Sequence, residues 1–378
     1  MRSTLVGLFL LLLAPLASAQ RPPADAATFA RPVLPAGADT NSWSVYYNYG
    51  VAQLRDSPDE AEAGFVWASR IDPTRAEPLY GRWVTFWRRN MGLFKKYRKH
   101  DRRVLESPLI LQVDSFYVRA QLLNPFTPRD LDLILEERLA WGKPWAHDLY
   151  TQGFVNYAAG HYAKAAYFFD RLLLQDSVAN YDVRHYLALC YIATHNYEDA
   201  ANQVMALLAE LRRRSASETH YVYESQEALL YGLGVLHLLL GDSASARTDL
   251  SQALTENLAY YPAHAQLGDM ALASGDSAAA VLEYAPAVEL AADDGVMHYR
   301  YARMLSTVGR LPEAEAELRR AIALEPYFAP SYLALALVLE TRGNPVQAVE
   351  HYRAYLERTY RRDPRIEMAR ERLAALSP

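Results

Sequence analysis

Residue types that carry chemistry are present, but not in the patterns that catalytic or cofactor sites require. Gly232-x-Gly234 could begin a dinucleotide-binding fingerprint, yet the third position holds His237 and no strand precedes the segment. Acidic residues such as Glu313 and Glu317 favour a solvated helix face over an acid/base pair. The sequence has no His-Glu-x-x-His, no Gly-x-Ser-x-Gly, no phosphate loop and no paired cysteines. We therefore predict no catalytic residues, no metal and no cofactor.

The cysteine count and the net charge bear on two further properties, disulfide bonding and nucleic-acid binding. Cys190 is the single cysteine, so no intramolecular disulfide is available and the fold must be held by packing. In its helical context a buried, inert thiol is favoured over a reactive one. The formal net charge of −5 argues against general nucleic-acid binding.

The elements that would position any site form a repeat of 34 residues, with copies beginning at Glu227, Tyr261, Gly295 and Ala329. The fifteenth position is always glycine, which can adopt the left-handed conformation that ends a helix. Small residues at the eighth and twentieth positions let two helices approach closely. Each copy is thus predicted to be a helical hairpin. The glycines are Gly241, Gly275, Gly309 and Gly343, and the alanines of position 20 are Ala246, Ala280, Ala314 and Ala348.

This pattern resembles the tetratricopeptide repeat (TPR), which carries small residues at positions 8, 20 and 27 and often proline at position 32, where Pro326 lies. The resemblance implies an all-α fold, an α-solenoid of TPR-like helix–turn–helix repeats forming a right-handed superhelix. It also implies that the first helix of each repeat, helix A, lines a concave groove that usually binds a peptide or protein. Position 4 faces neighbouring helices in this family, which argues against a metal site at His264 and His298.

The N-terminus reads as a secretory signal peptide. Arg2 precedes an apolar run, and Ala19 ends a small-x-small cleavage motif. We expect cleavage after Ala19 and a periplasmic or secreted protein; retention of the run as an anchor is the alternative. The run is shorter than the roughly 20 residues that span a bilayer. No later segment is both long and uncharged enough, so no transmembrane segment is expected after cleavage.

The rest of the chain divides by the regularity of the repeat. Prolines between residues 76 and 145 are predicted to break that segment into several short helices. In one later repeat, His195 replaces the turn glycine. The predicted divisions are a signal peptide at 1–19, a flexible leader at 20–41, a divergent TPR-like region at 42–145, two repeats at 146–214, an insertion at 215–226, four repeats at 227–362 and a C-terminal capping helix within 363–378.

The predicted groove takes positions 5, 9 and 12 of each helix A. Rigid aromatic side chains there give contact area at small entropic cost, and arginines further along are expected to meet acidic groups. The alternative is that the aromatic rings fill the interior of the superhelix. The predicted partner-binding residues are Tyr150, Phe154, Tyr157, Tyr231, Tyr299, Arg300 and Arg303.

Residues 82–103 carry nine lysines and arginines against one aspartate, interleaved with aromatic residues. Such a segment is attracted to anionic membrane surfaces. We favour the alternative, a degenerate repeat whose rings pack inward. The candidate membrane-surface residues are Trp83, Trp87, Arg88, Arg89, Lys95 and Lys96.

The sequence as a whole predicts a non-catalytic, exported protein-interaction scaffold that binds a peptide or protein segment, with envelope assembly as one setting. The alternative is a glycan-binding or enzyme-accessory protein, in which residues 76–145 and the tyrosine-rich groove hold a sugar. An enzyme with its site in residues 76–145 is a third alternative, but no constellation of residues there supports it.

Overall fold

The structure, a computed structural model, describes residues 29–93, 107–129, 131, 148–175, 183–213 and 225–376. Within these ranges the chain forms α-helices joined by turns, and no β-strand. The predicted signal peptide, residues 1–19, lies outside them. The helices are α1 (Trp43–Gln53), α2 (Pro58–Ile71), α3 (Glu77–Arg89), α4 (Pro108–Leu123), α5 (Leu149–Ala158), α6 (Tyr162–Gln175), α7 (Val183–Ala193), α8 (Tyr197–Arg213), α9 (Gln226–Leu239), α10 (Ser243–Glu256), α11 (Tyr261–Ala273), α12 (Ser277–Leu290), α13 (Gly295–Thr307), α14 (Leu311–Leu324), α15 (Ala329–Thr341), α16 (Pro345–Arg358) and α17 (Ile366–Leu376).

Consecutive helices pack against each other as hairpins, for example α9 with α10, α13 with α14, and α15 with α16. Neighbouring hairpins also pack, as α14 does on α15, and α17 packs on α16. The predicted all-α arrangement of TPR-like helix pairs with a C-terminal capping helix is therefore confirmed.

The turn inside a hairpin has the left-handed backbone that the repeat predicts. Gly241 has φ 79°. Its N–H donates to the carbonyl of Leu238 (3.0 Å), and that of Asp242 donates to His237 (2.9 Å). These bonds satisfy carbonyls that the helix end leaves without a donor. The corresponding turn at His195, with φ 60°, has no glycine: the N–H of His195 donates to the carbonyl of Ile192 (3.0 Å), and that of Asn196 donates to Tyr191 (2.8 Å). Positive φ also occurs at Gly160, Gly275, Gly309 and Gly343.

Small residues set the distance between the paired helices. A Cβ atom on Gly268 would lie 2.6 Å from Cδ2 of Tyr284, and one on Gly234 would lie 2.8 Å from Cγ of Leu250. Two carbon atoms that are not bonded prefer a separation of about 3.5–4.0 Å. Ala280, at position 20, has no exposed surface. The hairpins therefore leave no space for larger side chains at these positions.

The chain divides into two compact units. Unit 1 comprises the described residues within 1–79, 114–119 and 264–378, and unit 2 comprises those within 80–113 and 120–263. Unit 1 therefore contains α1, α2 and α12–α17, whereas unit 2 contains α5–α10.

In unit 1, the N-terminal helix pair packs against the last repeats. Asn41 Nδ2 donates to the backbone oxygens of Glu357 (2.8 Å) and Thr359 (3.2 Å). The rings of Trp67 and Tyr327 meet edge to face, with their centroids 5.3 Å apart. These contacts join segments that lie more than 250 positions apart in the sequence, as the numbering shows. The repeat register did not predict them, because it relates a hairpin only to its neighbours along the chain.

Pro108, one of the prolines predicted to break residues 76–145 into several short helices, is the first residue of a helix. α4 runs for 16 residues from Pro108, and the Ser107 side chain accepts a hydrogen bond from the N–H of Ile110 (3.3 Å). Proline is tolerated in the first turn of a helix because an N–H there has no intrahelical partner. Residues 132–145, which hold the last of the prolines, lie outside the described residues.

Candidate partner-binding site

A concave pocket of about 500 Å³ lies on helices α13 and α15 of unit 1, and we call it the groove pocket. Tyr299, Arg303 and Ser306 line one side, and they occupy positions 5, 9 and 12 of their repeat. Leu333 and Leu337 line the other, at positions 5 and 9 of the next repeat. The register thus identified the helix face that forms this pocket.

The last helix of the chain completes the groove pocket. Met368, on α17, and Arg365, just before that helix, both line it. The sequence predicted α17 as a cap alone, because the repeat pattern carries no information about residues outside it. The amphipathic pattern of Ile366–Leu376 shows that one face is buried, but not that the helix reaches a neighbouring groove.

Arg303 supplies an exposed cation at the edge of the groove pocket. Its guanidinium lies over the Tyr299 ring, 5.8 Å from the centroid, and Tyr299 meets Phe328 edge to face with centroids 5.3 Å apart. Among the residues that the structure describes, no carboxylate forms an ion pair with Arg303. The ring contact restrains the arginine while leaving its charge available to a ligand.

Arg365 supplies a second cation, held by a buried carboxylate. Its Nε and Nη2 donate to the two carboxylate oxygens of Asp363, at 2.9 and 2.6 Å. The Thr359 hydroxyl donates to the same carboxylate (3.2 Å). This two-bond geometry fixes the guanidinium plane at the wall of the pocket.

We expect Asp363 to make stability depend on pH in the acid range. Burial opposes ionisation of this carboxyl, but the hydrogen bonds from the side chain and backbone of Arg365 outweigh it and lower the pKa from 3.8 to about 2. A carboxyl whose pKa is lowered by folding stabilises the protein above its unfolded pKa. That contribution is lost as pH falls through the folded pKa. The urea midpoint should therefore fall between about pH 3.8 and about pH 2.

The control is Asp363→Asn, which cannot titrate. The parent protein should lose more stability across this pH window than the variant does, as measured by urea unfolding at both ends of it. Equal losses in the two proteins would contradict the assignment of the acid-sensitive contribution to Asp363.

Arg300 lies outside the groove pocket, although it was predicted with it. Its Nη2 forms an ion pair with Asp269, and its guanidinium lies 5.9 Å from the centroid of the Tyr284 ring. The same aspartate accepts a hydrogen bond from the Tyr284 hydroxyl. Arg300 therefore binds the preceding repeat, because position 6 of helix A points towards that neighbour.

The predicted aromatic end of the groove lies in unit 2, where most of its rings are buried. Phe154, Tyr157 and Tyr231 are only 5%, 1% and 7% exposed. The Phe154 ring centroid lies 5.1 Å from that of Phe169 and 4.7 Å from that of Tyr186. These rings fill the core, which is the alternative that the sequence left open. Tyr150 is half-buried and packs on this cluster.

The repeats of the groove pocket match a known family. The family model described as tetratricopeptide repeat matches residues 296–320, which cover most of α13 and α14, and residues 329–354, which cover α15 and most of α16. The matched residues form tetratricopeptide repeats. Helices α13 and α15 of the groove pocket lie within the matched repeats, and stacked repeats of this kind create concave binding surfaces.

Solved structures are similar to part of this chain. One is MamA, from residue 41 to its end, from Desulfovibrio magneticus RS-1. It is 15% identical, with a TM-score of 0.39, and the match covers 50% of this chain and 96% of that one. Another is the C-terminal part of a TPR repeat-containing protein from Cytophaga hutchinsonii. It is 15% identical, with a TM-score of 0.45, over 60% of this chain and 94% of that one. No curated protein matches this chain in sequence.

The structure describes residues 82–93 of the basic segment, which runs from residue 82 to residue 103. Trp83 and Trp87 are 6% and 0% exposed, and their ring centroids lie 6.1 Å apart. Arg88 is half-buried and Arg89 is exposed. Lys95 and Lys96 lie outside the described residues. Both tryptophan rings thus pack inward, as in the favoured alternative, and are not available to a membrane surface.

The two histidines at position 4 of the TPRs bind carboxylates of their own repeats. His264 Nδ1 lies 2.8 Å from Glu283 Oε2, and His298 Nδ1 lies 2.5 Å from Glu317 Oε2. In the described part of the chain, no group of three or more histidine, cysteine or acidic residues could hold a metal ion. Cys190 is fully buried, and burial raises the pKa of its thiol to about 12. None of the helices described has the length and apolarity needed to cross a bilayer.

Proposed function

We propose that this protein is a non-catalytic scaffold that binds a segment of a protein partner in the groove pocket. The observation that carries the proposal is the convergence of positions 5, 9 and 12 of α13 with positions 5 and 9 of α15 on one concavity. A pocket of about 500 Å³ falls within the roughly 300–1,000 Å³ range of ligand sites.

The chemistry of the groove pocket suits a peptide segment. Leu337, on its floor, is 38% exposed, so an apolar side chain bound there would remove apolar surface from water. Tyr299 offers a rigid aromatic ring, and Arg303 offers a charge at the rim. A central apolar anchor with a polar rim is the arrangement found where a few residues carry most of the binding energy.

The export of the protein remains a proposal from its sequence. The N-terminal run that ends at Ala19 motivates it, and envelope assembly is the setting that we propose for the scaffold. We leave membrane contact out of the proposed function because Trp83 and Trp87 are buried. The glycan-binding alternative depended on a tyrosine-rich groove, and burial of Tyr157 and Tyr231 removes those rings from the surface.

Photo-crosslinking in cells that natively produce the protein tests the site. A photo-reactive amino acid placed at Leu337 should crosslink one discrete partner, because this side chain lies on the groove floor. The same amino acid at Leu282 on α12 is the matched control, since Leu282 is an exposed leucine of the same unit outside the groove pocket. Adding Arg303→Ala should lower the yield at Leu337.

The outcome against the proposal is equally specific. Absence of a product at Leu337, or the same products at Leu337 and Leu282, would show that the groove pocket does not bind a partner. The crosslinked chain should be recovered from the envelope or the medium with Gln20 as its first residue. Recovery of the chain from the cytosol with an intact N-terminus would refute export and leave the binding site standing.

A further inference from the structure

A second pocket, of about 430 Å³, adjoins the groove pocket in unit 1, and we call it the junction pocket. Pro330 and Arg365 line both pockets, so the two concavities share a wall. The junction pocket lies between the N-terminal helix pair and the last repeats. Its lining includes Asn41, Ser42, Trp43, Asp72 and Arg75 from the N-terminal side, and Phe328, Arg358, Thr359 and Asp363 from the C-terminal side.

Defined contacts build the junction pocket. Asn41 is bonded to the backbone at the end of α16, and the backbone N–H of Arg361 donates to Asp39 Oδ2 (2.8 Å). The Arg361 side chain also donates to the carbonyl of Gly37 (3.3 Å). The junction pocket is therefore a product of how the two ends of this chain meet, and the helix A positions of a TPR array do not generate it.

Cationic side chains outnumber acidic side chains in the lining of both pockets. The groove pocket has Arg303 and Arg365 and no acidic residue, and the junction pocket adds Arg75 and Arg358. Two aspartates, Asp72 and Asp363, also line the junction pocket. The linings of the two pockets thus contain four arginines and two carboxylates, whereas the whole chain has a formal net charge of −5. Outside the lining, Glu357 lies 3.3 Å from Arg358. A local excess of one sign within a cleft favours ligands of the opposite charge.

Contacts with neighbouring side chains restrain these arginines, and N–H donors of their guanidinium groups are left for a ligand. Arg75 lies over the Trp43 ring, 4.8 Å from the centroid, and binds Asp72 through its Nε at 3.1 Å. Arg358 lies over the Tyr332 ring at 4.7 Å. A guanidinium carries five N–H donors, so an arginine that already binds one carboxylate can bind another. Restrained arginines lose less side-chain entropy when they bind a carboxylate.

We propose that the segment bound in the groove pocket is acidic as well as apolar, and that it continues past Pro330 into the junction pocket. An apolar side chain packs on Leu337, with a neighbouring carboxylate between Arg303 and Arg365. A second acidic side chain meets Arg75 and Arg358. This inference rests on the proposed function, because it assigns the sequence character of the same partner segment.

Phage-displayed random peptides selected on the purified chain provide the test. A parallel selection on Leu337→Asp identifies the peptides that need the groove floor. Peptides bound by the parent but not by this variant should combine an apolar residue with aspartate or glutamate at a fixed spacing. The affinity of one such synthetic peptide is then measured by fluorescence anisotropy, together with copies in which each acidic residue is replaced by its amide.

Each acid-to-amide change should weaken binding about tenfold, as expected for loss of a charge-assisted hydrogen bond. Arg303→Gln and Arg75→Gln should each weaken the parent peptide similarly, and each should have little effect on the peptide that lacks the matching acid. Arg353→Gln is the matched control, because it removes the same charge from the exposed side of α16 outside both pockets.

The outcomes separate the two proposals. Peptides that depend on Leu337 but show no acidic preference, or that bind equally well to Arg303→Gln and Arg75→Gln, would overturn this inference and leave the groove site intact. Acidic peptides that bind Leu337→Asp as well as they bind the parent would overturn it too, because their binding would be charge attraction that does not need the groove floor. A selection that yields no peptide dependent on Leu337 would overturn the proposed function.

Discussion

Replacing Asp294 by alanine is expected to lower the free energy of unfolding by about 3–5 kcal/mol, which is typical when one partner of a buried ion pair is removed. Asp294 is 5% exposed and lies 3.4 Å from Nη2 of Arg119, whose side chain is also largely buried. Its carboxylate also caps α13 by accepting from the N–H groups of Val296 (2.9 Å) and Met297 (3.2 Å). The substitution would leave a buried cation and two backbone donors without this carboxylate.

A matched control separates the buried charge from the cap. Asp276 caps α12 in the preceding repeat by accepting from the N–H of Ala279 (2.9 Å), but it is exposed. Asp276→Ala should therefore cost only about 1 kcal/mol, the usual value for a lost cap. Urea unfolding of both variants measures the difference. A loss at Asp294 no larger than that at Asp276 would contradict the role assigned to the buried pair.

A double-mutant cycle with Arg119→Met tests the same pair directly. If Asp294 and Arg119 interact as the structure shows, the loss in the double variant should differ from the sum of the single losses by more than about 0.5 kcal/mol. Additive losses would mean that the two side chains act independently.

Replacing Ala280 by tryptophan is expected to lower the free energy of unfolding by at least about 1–3 kcal/mol, the usual cost of overpacking. Ala280 has no exposed surface, and a single carbon added to Gly268 on the partner helix α11 would already lie 2.6 Å from the ring of Tyr284 on α12. A tryptophan side chain therefore has no space unless α11 and α12 move apart. The urea unfolding midpoint measures the effect.

The control for this prediction lies on the same helix. Ala278 is exposed on α12, so Ala278→Trp makes the same chemical change without entering the helix interface. It should shift the midpoint by little, because substitutions on the surface usually change stability within about 0.5 kcal/mol. Equal midpoints for Ala280→Trp and the parent protein would refute the assignment of position 20 to the tight interface.

Features that depend on neighbouring residues could be predicted from the sequence. The interval of 34 residues located the hairpins, and Gly241 and His195 both adopt the left-handed conformation at the predicted turns. The small residues were also predictable, because the eighth position, where Gly268 lies close to Tyr284, holds glycine or alanine in all four copies. Helix ends and packing within one hairpin depend on residues a few helical turns apart. The same residue pattern therefore recurs in each copy of the repeat and can be recognised in the sequence.

Positions 5, 9 and 12 were predicted as one surface, yet the outcome differs between the units. Tyr299 and Arg303 line an open pocket, because the neighbouring repeat places leucines beside them. Phe154 and Tyr157 occupy positions 9 and 12 of an earlier repeat and are buried, because Tyr186 from the next helix A contacts both rings. Exposure depends on the size of side chains from other repeats, which the register of one repeat does not specify.

The sequence by itself determined that this protein is an array of TPR hairpins and which helix face holds its candidate site. Only the tertiary structure decided that Arg365 and Met368 wall the groove pocket and that the N-terminal pair builds a second pocket beside it. The bond from Asn41 to Glu357 joins positions 316 residues apart. Such a contact depends on tertiary packing between segments of unit 1 that are distant in the sequence, and no local pattern in the sequence specifies it.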